Sequence, residues 1–405
     1  MKVLYFHQHF STPQGSTGTR SYEMARKLIE RGHNVTMVCG SYGVGKTGLT
    51  AKFSKGIRKG NVDKIEVIEL ELPYSNNDRF IRRTITFLKF AMRSIKIAMS
   101  EDYDLIFATS TPLTAGLPGI VAAFFRRKKF VFEVRDLWPE LPRAMGVITN
   151  PIILSMMSIL EWLSYHSAKY NIGLAPGIVQ GIIDRNISKN DVYMIPNGCD
   201  IDLFSGDSNL WRPDTVTDED FMAVFTGAHG IANGLNALLD VAIELKKRNA
   251  NNIKLVLIGE GKLKKNLVAR ADMEGLTNCV FHDPVPKTKL SGLLRSADLG
   301  LMLLANVPAF YYGTSPNKFF DYIASGIPVL NNYPGWVADL IQEYSCGVVV
   351  PPDNPALFAD ALITMSNNKS ANIKMGENSR KLALEKFDRQ KLSASFVDVL
   401  EKAVL

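Results

Sequence analysis

The sequence predicts an α/β chain of two doubly wound halves, each a parallel sheet covered by helices on both faces. Three observations carry this expectation. Strand-like and helix-like segments alternate almost from end to end, the pattern of consecutive βαβ units. The alternation breaks once, over Pro196–Asp220, where Pro, Asp, Asn, Gly and Ser accumulate. The length of 405 residues also exceeds what one core usually organises, at about 150 residues per domain.

Lys2–His7 reads as the opening strand, and Thr19–Arg31 as a helix whose Ala25, Leu28 and Ile29 share a face. Asn34–Cys39 is the second strand. Further strands fit Lys64–Leu70, Tyr103–Ala108, Lys129–Val134, Tyr170–Leu174 and Val192–Ile195, with helices between them. After the break, Phe221–Thr226, Lys254–Gly259, Cys279–His282, Leu299–Leu304, Pro328–Leu330 and Gly347–Val350 read as strands. The chain closes in helices, the last over Arg389–Val404 with Leu392, Phe396 and Leu400 as its stripe. The expected division is 1–196, a linker over 197–220, and 221–387. A cleft between the halves is the expected ligand site.

A hydrophobic share of 46% and a charged share of 21% exclude a disordered protein, a collagen and a small disulfide scaffold. No stretch reaches the roughly 18–20 apolar residues of a spanning helix. Met1–Phe6 runs into His7-Gln8-His9 too soon for a signal peptide, so a cytoplasmic location is expected. Lys and Arg number 47 against 40 Asp and Glu, a net charge of +7, which points to an anionic partner. No nucleic-acid recognition motif accompanies that charge, and nucleic acid is not expected. Cys39, Cys199, Cys279 and Cys346 lie far apart and read as reduced thiols.

One conspicuous motif lacks its context. Gly40-Ser41-Tyr42-Gly43-Val44-Gly45-Lys46-Thr47 fits the phosphate-binding loop pattern and follows a predicted strand. In such a loop Lys46 would reach the outer phosphates and Thr47 a magnesium ion. That needs a helix starting at the lysine, and only Leu49–Phe53 is available before Ser54-Lys55-Gly56 breaks it. A flexible basic loop is the expected reading, and a nucleotide-binding loop at Lys46 the alternative. Asp-x-Asp recurs at Asp102/Asp104, Asp200/Asp202 and Asp218/Asp220 in unrelated contexts. No His/Cys/carboxylate cluster has ligand spacing, so no metal is expected.

The segment Ser315-Pro316-Asn317-Lys318-Phe319-Phe320-Asp321-Tyr322-Ile323-Ala324-Ser325-Gly326-Ile327-Pro328-Val329 carries more. Ser315 reads as an N-cap, Pro316 as a first-turn residue and Gly326 as a helix stop before a strand. The free amides of that first turn form an anion site, and Lys318 adds charge. Asp321 lies one turn above Asn317 on the same face, where a carboxylate can accept hydrogen bonds from a ribose diol. The segment also reads as a capped, buried helix with an incidental acid.

This segment resembles the nucleotide-sugar-binding helix of glycosyltransferase family 4, with Asp321 in place of the family's Glu. The resemblance extends over nearly the whole chain. Gly15-Ser16-Thr17-Gly18-Thr19-Arg20, then Glu30-Arg31-Gly32-His33-Asn34-Val35, resemble the first glycine loop and the approach to the second strand. Ile195-Pro196-Asn197-Gly198-Cys199-Asp200 resembles the family's linker, Leu257-Ile258-Gly259-Glu260-Gly261 a glycine turn, and Ser296-Ala297-Asp298-Leu299-Gly300 a strand start. The resemblance implies the GT-B fold: two Rossmann-like domains facing a central cleft, with the C-terminal helix 388–405 returning to the first. It also implies a retaining, hexosyltransferase-type enzyme without cofactor or essential metal, holding a UDP-sugar. The donor residues it implies are Gly18 and Arg20; Gly227, His229 and Asn233; Gly259, Gly261 and Lys262; and Ser315, Asn317, Lys318 and Asp321.

The sequence departs from the family's pattern at three positions. One of the family's two acids maps onto Gly313, its Arg onto Ala228 and its Lys onto Asn233. The diphosphate charge then falls to Lys318, Lys262, Arg20 or helix amides. His229 either replaces a cation or is structural. The same losses leave a non-catalytic GT-B-like scaffold subunit as a reading. Glu133-Val134-Arg135-Asp136-Leu137-Trp138-Pro139-Glu140 follows a strand, so its polar residues would face the ligand at the carboxyl end. Together with Thr226-Gly227-Ala228-His229-Gly230 and Ser315–Tyr322 it resembles a subset of bacterial O-antigen and capsule amino-sugar transferases, including L-N-acetylfucosamine transferases. By that resemblance Asp136, with Arg135, is the catalytic or orienting residue on the acceptor side. The two also read as a buried ion pair. The acceptor implied is a polyprenyl-diphosphate-linked saccharide.

Arg79–Met99 reads as an amphipathic helix in which Ile81, Ile85, Leu88, Met92, Ile95 and Met99 share a face. Arg79, Arg82, Arg83, Lys89, Arg93 and Lys96 occupy much of the rest, and no acid lies between Asp78 and Glu101. Such a helix suits the anionic inner face of a bacterial membrane, with Arg126-Arg127-Lys128-Lys129 extending the patch. It also reads as a helix whose apolar stripe packs inward under a solvated basic face.

Overall fold

The computed structural model describes residues 1–43, 45–74, 78, 80–206 and 209–405. Val44 of the loop pattern, Arg79 of the basic helix and Asp207-Ser208 of the expected linker lie outside the described residues. The chain divides into two compact units. The first comprises Met1–Asn197, Tyr312–Ser315 and Arg389–Leu405, and the second Gly198–Tyr311 and Pro316–Asp388.

The first unit holds β1 (Lys2–Phe6), β2 (Asn34–Tyr42), β3 (Ile57–Val62), β4 (Ile65–Tyr74), β5 (Leu105–Thr109), β6 (Lys129–Val134), β7 (Tyr170–Gly173) and β8 (Val192–Met194). They form one sheet in the order β3-β4-β2-β1-β5-β6-β7-β8. The strand order reverses between β1 and β5, and a sheet of this kind opens a crevice at the carboxyl ends of those two strands. Seven strands run parallel as the alternation predicts, and β3 does not: it pairs antiparallel with β4. The hairpin turn is Asp63-Lys64, both at positive φ (+50° and +69°). That is the geometry of a tight two-residue hairpin without its usual glycine, which is why the sequence does not announce it.

On one face of this sheet the helices Arg20–Glu30 and Arg389–Val404 pack side by side. Leu28, Phe396 and Leu400 join Tyr5 and Phe107 in the core, and the Phe107 and Phe396 rings meet edge to face at 4.8 Å. Burying a side chain such as Phe396 stabilises by about 1.5–3 kcal/mol, so the C-terminal helix is integral to this unit. The other face carries the helices Phe80–Ser100, Leu117–Arg126 and Pro151–Ser167, each packed on the next. Phe80–Ser100 buries Thr86, Phe90, Ser94 and Ala98. The stripe expected to pack inward is instead largely exposed, because Ile81, Ile85, Leu88 and Met92 lie on the opposite side from those residues.

The second unit holds β9 (Phe221–Thr226), β10 (Ile253–Ile258), β11 (Cys279–His282), β12 (Leu299–Met302), β13 (Val329–Asn331) and β14 (Gly347–Val349). The order is β11-β10-β9-β12-β13-β14, all parallel, and the reversal falls between β9 and β12. The helix Asn317–Ser325 is fastened beside that point. The Thr226 amide donates to Tyr322 Oη at 3.0 Å, and the Tyr322 hydroxyl donates to the Leu301 carbonyl at 3.2 Å. A Cβ at Gly300 would lie 2.4 Å from the Tyr322 ring, so only glycine admits that contact.

The expected linker 197–220 is a correction. From Gly198 onward the segment belongs to the second unit. It contains the helix Ile201–Ser205. Arg212 donates to the Ser296 carbonyl at 2.9 Å and Trp211 Nε1 to the Lys289 carbonyl at 2.8 Å. Its loop-like composition serves turns that pack, and nothing in the composition distinguishes such turns from a free tether.

Candidate functional site

At the carboxyl ends of β9 and β10 two glycine turns close on each other. The Gly227 amide donates to the Ile258 carbonyl at 3.0 Å, the His229 amide to Glu260 O at 2.9 Å and the Leu263 amide to His229 O at 2.9 Å. Gly227 and Gly259 stand at φ +140° and +155°, which L side chains rarely adopt. A Cβ at Gly259 would lie 1.9 Å from the Gly227 carbonyl, and one at Gly261 2.6 Å from the His229 carbonyl. Beside these turns sits Lys318, from the first turn of the helix Asn317–Ser325. Its Nζ lies 3.7 Å from where a Gly227 Cβ would be, donates to Asn233 Oδ1 at 2.6 Å and stands 4.2 Å from the Phe225 ring centroid. Asn233 is held in turn by donating to the Ala228 carbonyl at 2.7 Å. No acid among the described residues pairs with Lys318, and burial pushes its ammonium down to about 7. A half-buried cation facing exposed glycine backbone and a helix N-terminus is a cradle for an anion.

The structure thus brings together Gly227, His229, Asn233, Gly259, Gly261 and Lys318, with Asn317 exposed at the helix start and Lys262 exposed after Gly261. Four expectations are corrected. Ser315 is not the N-cap: Pro316 is extended, the helix starts at Asn317 without a side-chain cap, and Ser315 accepts from the Asn197 amide at 3.0 Å in the first unit. Asp321 is buried and paired at 3.1 Å with Lys287, which also holds Asp200. One methylene shorter than the family's Glu, its carboxyl stays within reach of that lysine and is not an open diol acceptor. His229 does not replace a cation, because burial, helped by Lys264, pushes its imidazole down to about 4 and keeps it neutral. Arg20 lies in the first unit, buried and engaged elsewhere. Gly18 lies in that same unit, exposed.

Arg20 belongs to a charge hub at the carboxyl ends of β5 and β6. Arg20 Nε and Nη2 donate to Glu133 Oε2 at 2.9 and 2.8 Å, and Nη1 and Nη2 donate to the carbonyls of Pro196 and Ile195. Thr109 Oγ1 donates to Glu133 Oε1 at 2.9 Å, and Arg135 Nε reaches the same oxygen at 3.1 Å. Burial pushes the Glu133 carboxyl up, but Arg20 and Arg135 outweigh it and hold it below the usual range. The expected Arg135–Asp136 pair is therefore a correction. The partner of Arg135 is Glu133, and its Nη2 donates to Ser21 Oγ at 3.1 Å. Arg135 is thereby tied into this hub. Asp136 has no hydrogen-bond partner among the described residues, and burial, opposed by Arg135, raises its carboxyl.

Sequence reasoning missed a set of buried polar atoms, of which those of His7 and His9 lie near Arg135. Where β1 ends, His7 Nδ1, both amide atoms of Gln8 and His9 Nε2 are buried without a hydrogen-bond partner among the described residues, as, elsewhere in the first unit, are Thr17 Oγ1, Thr111 Oγ1 and Trp138 Nε1. Burial pushes His7 well below its ordinary value and His9 down to about 3, so both imidazoles are neutral. Such groups are costly unless something bonds them, and His7-Gln8-His9 follow β1 at the strand-order reversal, where sheets of this kind bind ligands. The signal was present: His7-Gln8-His9 directly ends the first strand. Beyond Trp138 a cavity of about 790 Å³ is lined by Pro139, Arg143, Ile148, Leu154, Ser158 and Ile159 among others.

Among its described residues the loop around Lys46 has no phosphate-binding geometry. β2 runs on through Tyr42, no helix begins at Lys46, and the next element is β3. Nor is the loop loose. The Lys46 amide donates to Ser11 Oγ at 3.0 Å, and Thr47 Oγ1 donates to Glu69 at 2.6 Å. Among the described residues no group of three or more His, Cys, Asp or Glu could hold a metal, and no helix is long and apolar enough to cross a membrane.

Two α/β sheets, the second with paired glycine turns beside its strand-order reversal, define a double Rossmann-like architecture. The comparisons give it a family. Residues 17–203 match Glycosyltransferase Family 4, and residues 207–382 match Glycosyl transferases group 1. The chain belongs to glycosyltransferase family 4 and has the GT-B fold. It is 26% identical over 195 residues to O-antigen chain mannosyltransferase C of Escherichia coli, covering 47% of this chain and 48% of that one. It is 23% identical over 226 residues to the MMP alpha-(1->4)-mannosyltransferase of Mycolicibacterium hassiacum, covering 55% and 51%. The matches span about half the length of these two curated relatives. Among solved structures, Anabaena HepE in complex with UDP superposes with a TM-score of 0.69 at 17% identity, covering 99% of this chain and 100% of that one. That likeness is one of fold.

Proposed function

We propose that the chain is a retaining glycosyltransferase. It moves a sugar, an N-acetylated amino sugar, from a UDP-sugar to a polyprenyl-diphosphate-linked saccharide at the inner face of a bacterial membrane, in O-antigen or capsule synthesis. The observation that carries the reading is Lys318: a half-buried ammonium with a neutral partner, beside Gly227 and at a helix N-terminus. When the bond between the sugar's anomeric carbon and the diphosphate breaks, the electron pair leaves on the diphosphate. Lys318 and the amides of the helix start stabilise that charge without a metal. In the first unit, the unpaired polar atoms of His7, Gln8, His9 and Trp138 orient the acceptor's hydroxyls beside Asp136. Arg143, in the cavity beyond Trp138, meets the acceptor's own diphosphate. The amino-sugar part rests on the resemblance of residues 133–140 and 315–322. A mannosyl donor is the second reading, favoured by the names of two of the curated relatives.

The test is thermal stabilisation of the full chain by UDP, GDP and ATP–magnesium, with EDTA as control. A ligand that binds only the native state raises its stability. A metal-independent rise with UDP is expected. A rise with GDP alone selects the mannosyl reading, and no rise with either nucleotide overturns the donor assignment. Transfer from the selected donor to a lipid-linked saccharide then separates an enzyme from a scaffold subunit.

A further inference from the structure

We infer that Lys264 is a positioning residue for the donor's diphosphate: its ammonium fixes the second glycine turn from behind and supplies the cradle's second positive charge. The inference rests on the nucleotide cradle proposed above. A nucleoside diphosphate brings more than one negative charge, and Lys318 answers with a single positive one. Lys262 is exposed, whereas the Lys264 side chain is only 13% exposed. Lys264 opens the helix Lys264–Met273, and its side chain reaches back to the strand ends. Nζ donates to the Gly259 carbonyl at 2.9 Å, the His282 carbonyl at 3.2 Å and Asp283 Oδ1 at 2.5 Å. The His282 carbonyl also accepts from the Gly259 amide at 3.1 Å. One ammonium thus joins the turn after β10 to the end of β11. A trans peptide sets its C=O and N–H in opposite directions, so holding the Gly259 carbonyl also fixes where the Glu260 amide points. The same bond polarises that peptide and strengthens its amide as a donor.

Charge points to the same role. The acids beside Lys264 face solvent: Asp283 is 82% exposed, and Glu260, 3.7 Å from Nζ, is 47% exposed. Water screens such partners, and they offset little of the field of an enclosed ammonium. That field reaches the cradle. Burial first, then Lys264 and more weakly Lys318, push the His229 imidazole down to about 4, with Glu260 opposing the two lysines. One ring therefore feels both ammoniums. A Cβ at Gly259 would lie 3.3 Å from that ring, and one at Gly227 3.4 Å from Lys318 Cε. Lys318 stands beside the first turn and Lys264 beside the second. Glu260 is the opposing charge. Its Oε1 accepts from the Gly261 amide at 3.0 Å, so an anion arriving at this turn meets a carboxylate.

The test is calorimetric affinity of the full chain for UDP or GDP, whichever stabilises wild type. The variants are Lys264→Met, Lys264→Arg and Glu260→Gln, with circular dichroism melting to report folding. Lys264→Met is expected to bind about tenfold more weakly. Lys264→Arg keeps the charge and should recover part of that loss. Glu260→Gln keeps an oxygen for the Gly261 amide and removes the opposing charge, so it should bind about two- to fivefold more tightly. A purely structural Lys264 gives no such reversal of sign between the two sites. Wild-type affinity in Lys264→Met overturns the inference, as does a loss that Lys264→Arg shares in full. Unchanged or weaker binding by Glu260→Gln overturns it too, even where Lys264→Met does not fold. These outcomes leave the donor reading standing. Wild type that binds neither nucleotide overturns the donor reading and this inference with it.

Discussion

Two cations taken out of water divide this molecule into a finished site and an unfinished one. Arg20 in the first unit makes four hydrogen bonds, two of them to Glu133, and Arg135 completes the neutralisation from the other side. Lys318 in the second unit has an amide oxygen and the Phe225 ring, and no acid among the described residues. A ring and an amide oxygen soften the desolvation of an ammonium without cancelling its charge. Burial of a cation therefore does not by itself mark a functional residue. What marks it is whether the counter-charge is already inside the protein. Both residues were legible as candidate phosphate ligands, and this criterion separates them.

The largest expected effect lies in the finished site. Glu133→Gln keeps the shape and removes the charge that two guanidiniums share, leaving them buried without a counter-ion. Unfolding in urea should show a loss of about 3–5 kcal/mol. The pH sign follows from the lowered Glu133 value. Its contribution is complete above the unfolded carboxyl value and is lost as pH falls through the lower folded value. The variant should lack that acid limb. Wild-type stability in Glu133→Gln would break the distinction from one side.

Next in size is Gly259→Ala in the cradle. Its Cβ would meet the Gly227 carbonyl at 1.9 Å at a φ of +155°, so the two turns must part, at a cost of about 2–3 kcal/mol together with nucleotide binding. Gly146→Ala is the control, since Gly146 has φ +66° and nothing within 4 Å. It should lose only the left-handed backbone penalty of about 1 kcal/mol. Equal losses for the two would show that the closeness of the turns is incidental.

Lys318→Met reverses the pattern of the hub. Removing a cation that no acid neutralises should leave the melting temperature unchanged or higher, while the nucleotide-induced shift disappears. In wild type, a bound diphosphate raises the Lys318 value above the free value of about 7. Affinity measured by calorimetry should be flat below that pH and fall by up to about tenfold per unit above it. A pH-independent affinity, or a destabilised Lys318→Met, would put Lys318 with Arg20 as a structural cation.

The sequence announced the sheets better than the sites. Thirteen of the fourteen strands among the described residues follow from alternation of apolar runs and turn residues. β3 escaped because Asp63-Lys64 adopts a turn that its residue types do not advertise. The glycine turns were legible because close backbone approach demands glycine. The partners of charged residues were not: Arg20–Glu133 and Lys287–Asp321 join residues far apart in the chain, and no local spacing encodes such pairs. The buried polar atoms at His7-Gln8-His9 were overlooked for a related reason. A strand end looks like any loop until the order of strands shows that it sits at the reversal.

The smallest expected effect is at Lys46, and it tests whether a motif without its geometry has any weight. Lys46→Ala leaves intact what the loop uses, the backbone of that residue, which accepts from the Thr12 amide at 2.7 Å and donates to Ser11 Oγ. The side chain is exposed, so stability should move by no more than about 0.5 kcal/mol. The nucleotide-induced shift should equal that of wild type. A phosphate-binding lysine needs a helix N-terminus behind it and a hydroxyl free for the metal, and here a hairpin follows and Thr47 donates to Glu69. An ATP–magnesium shift that vanishes in Lys46→Ala would mean that the loop rearranges on binding. The unfinished cation of this protein would then be Lys46 and not Lys318.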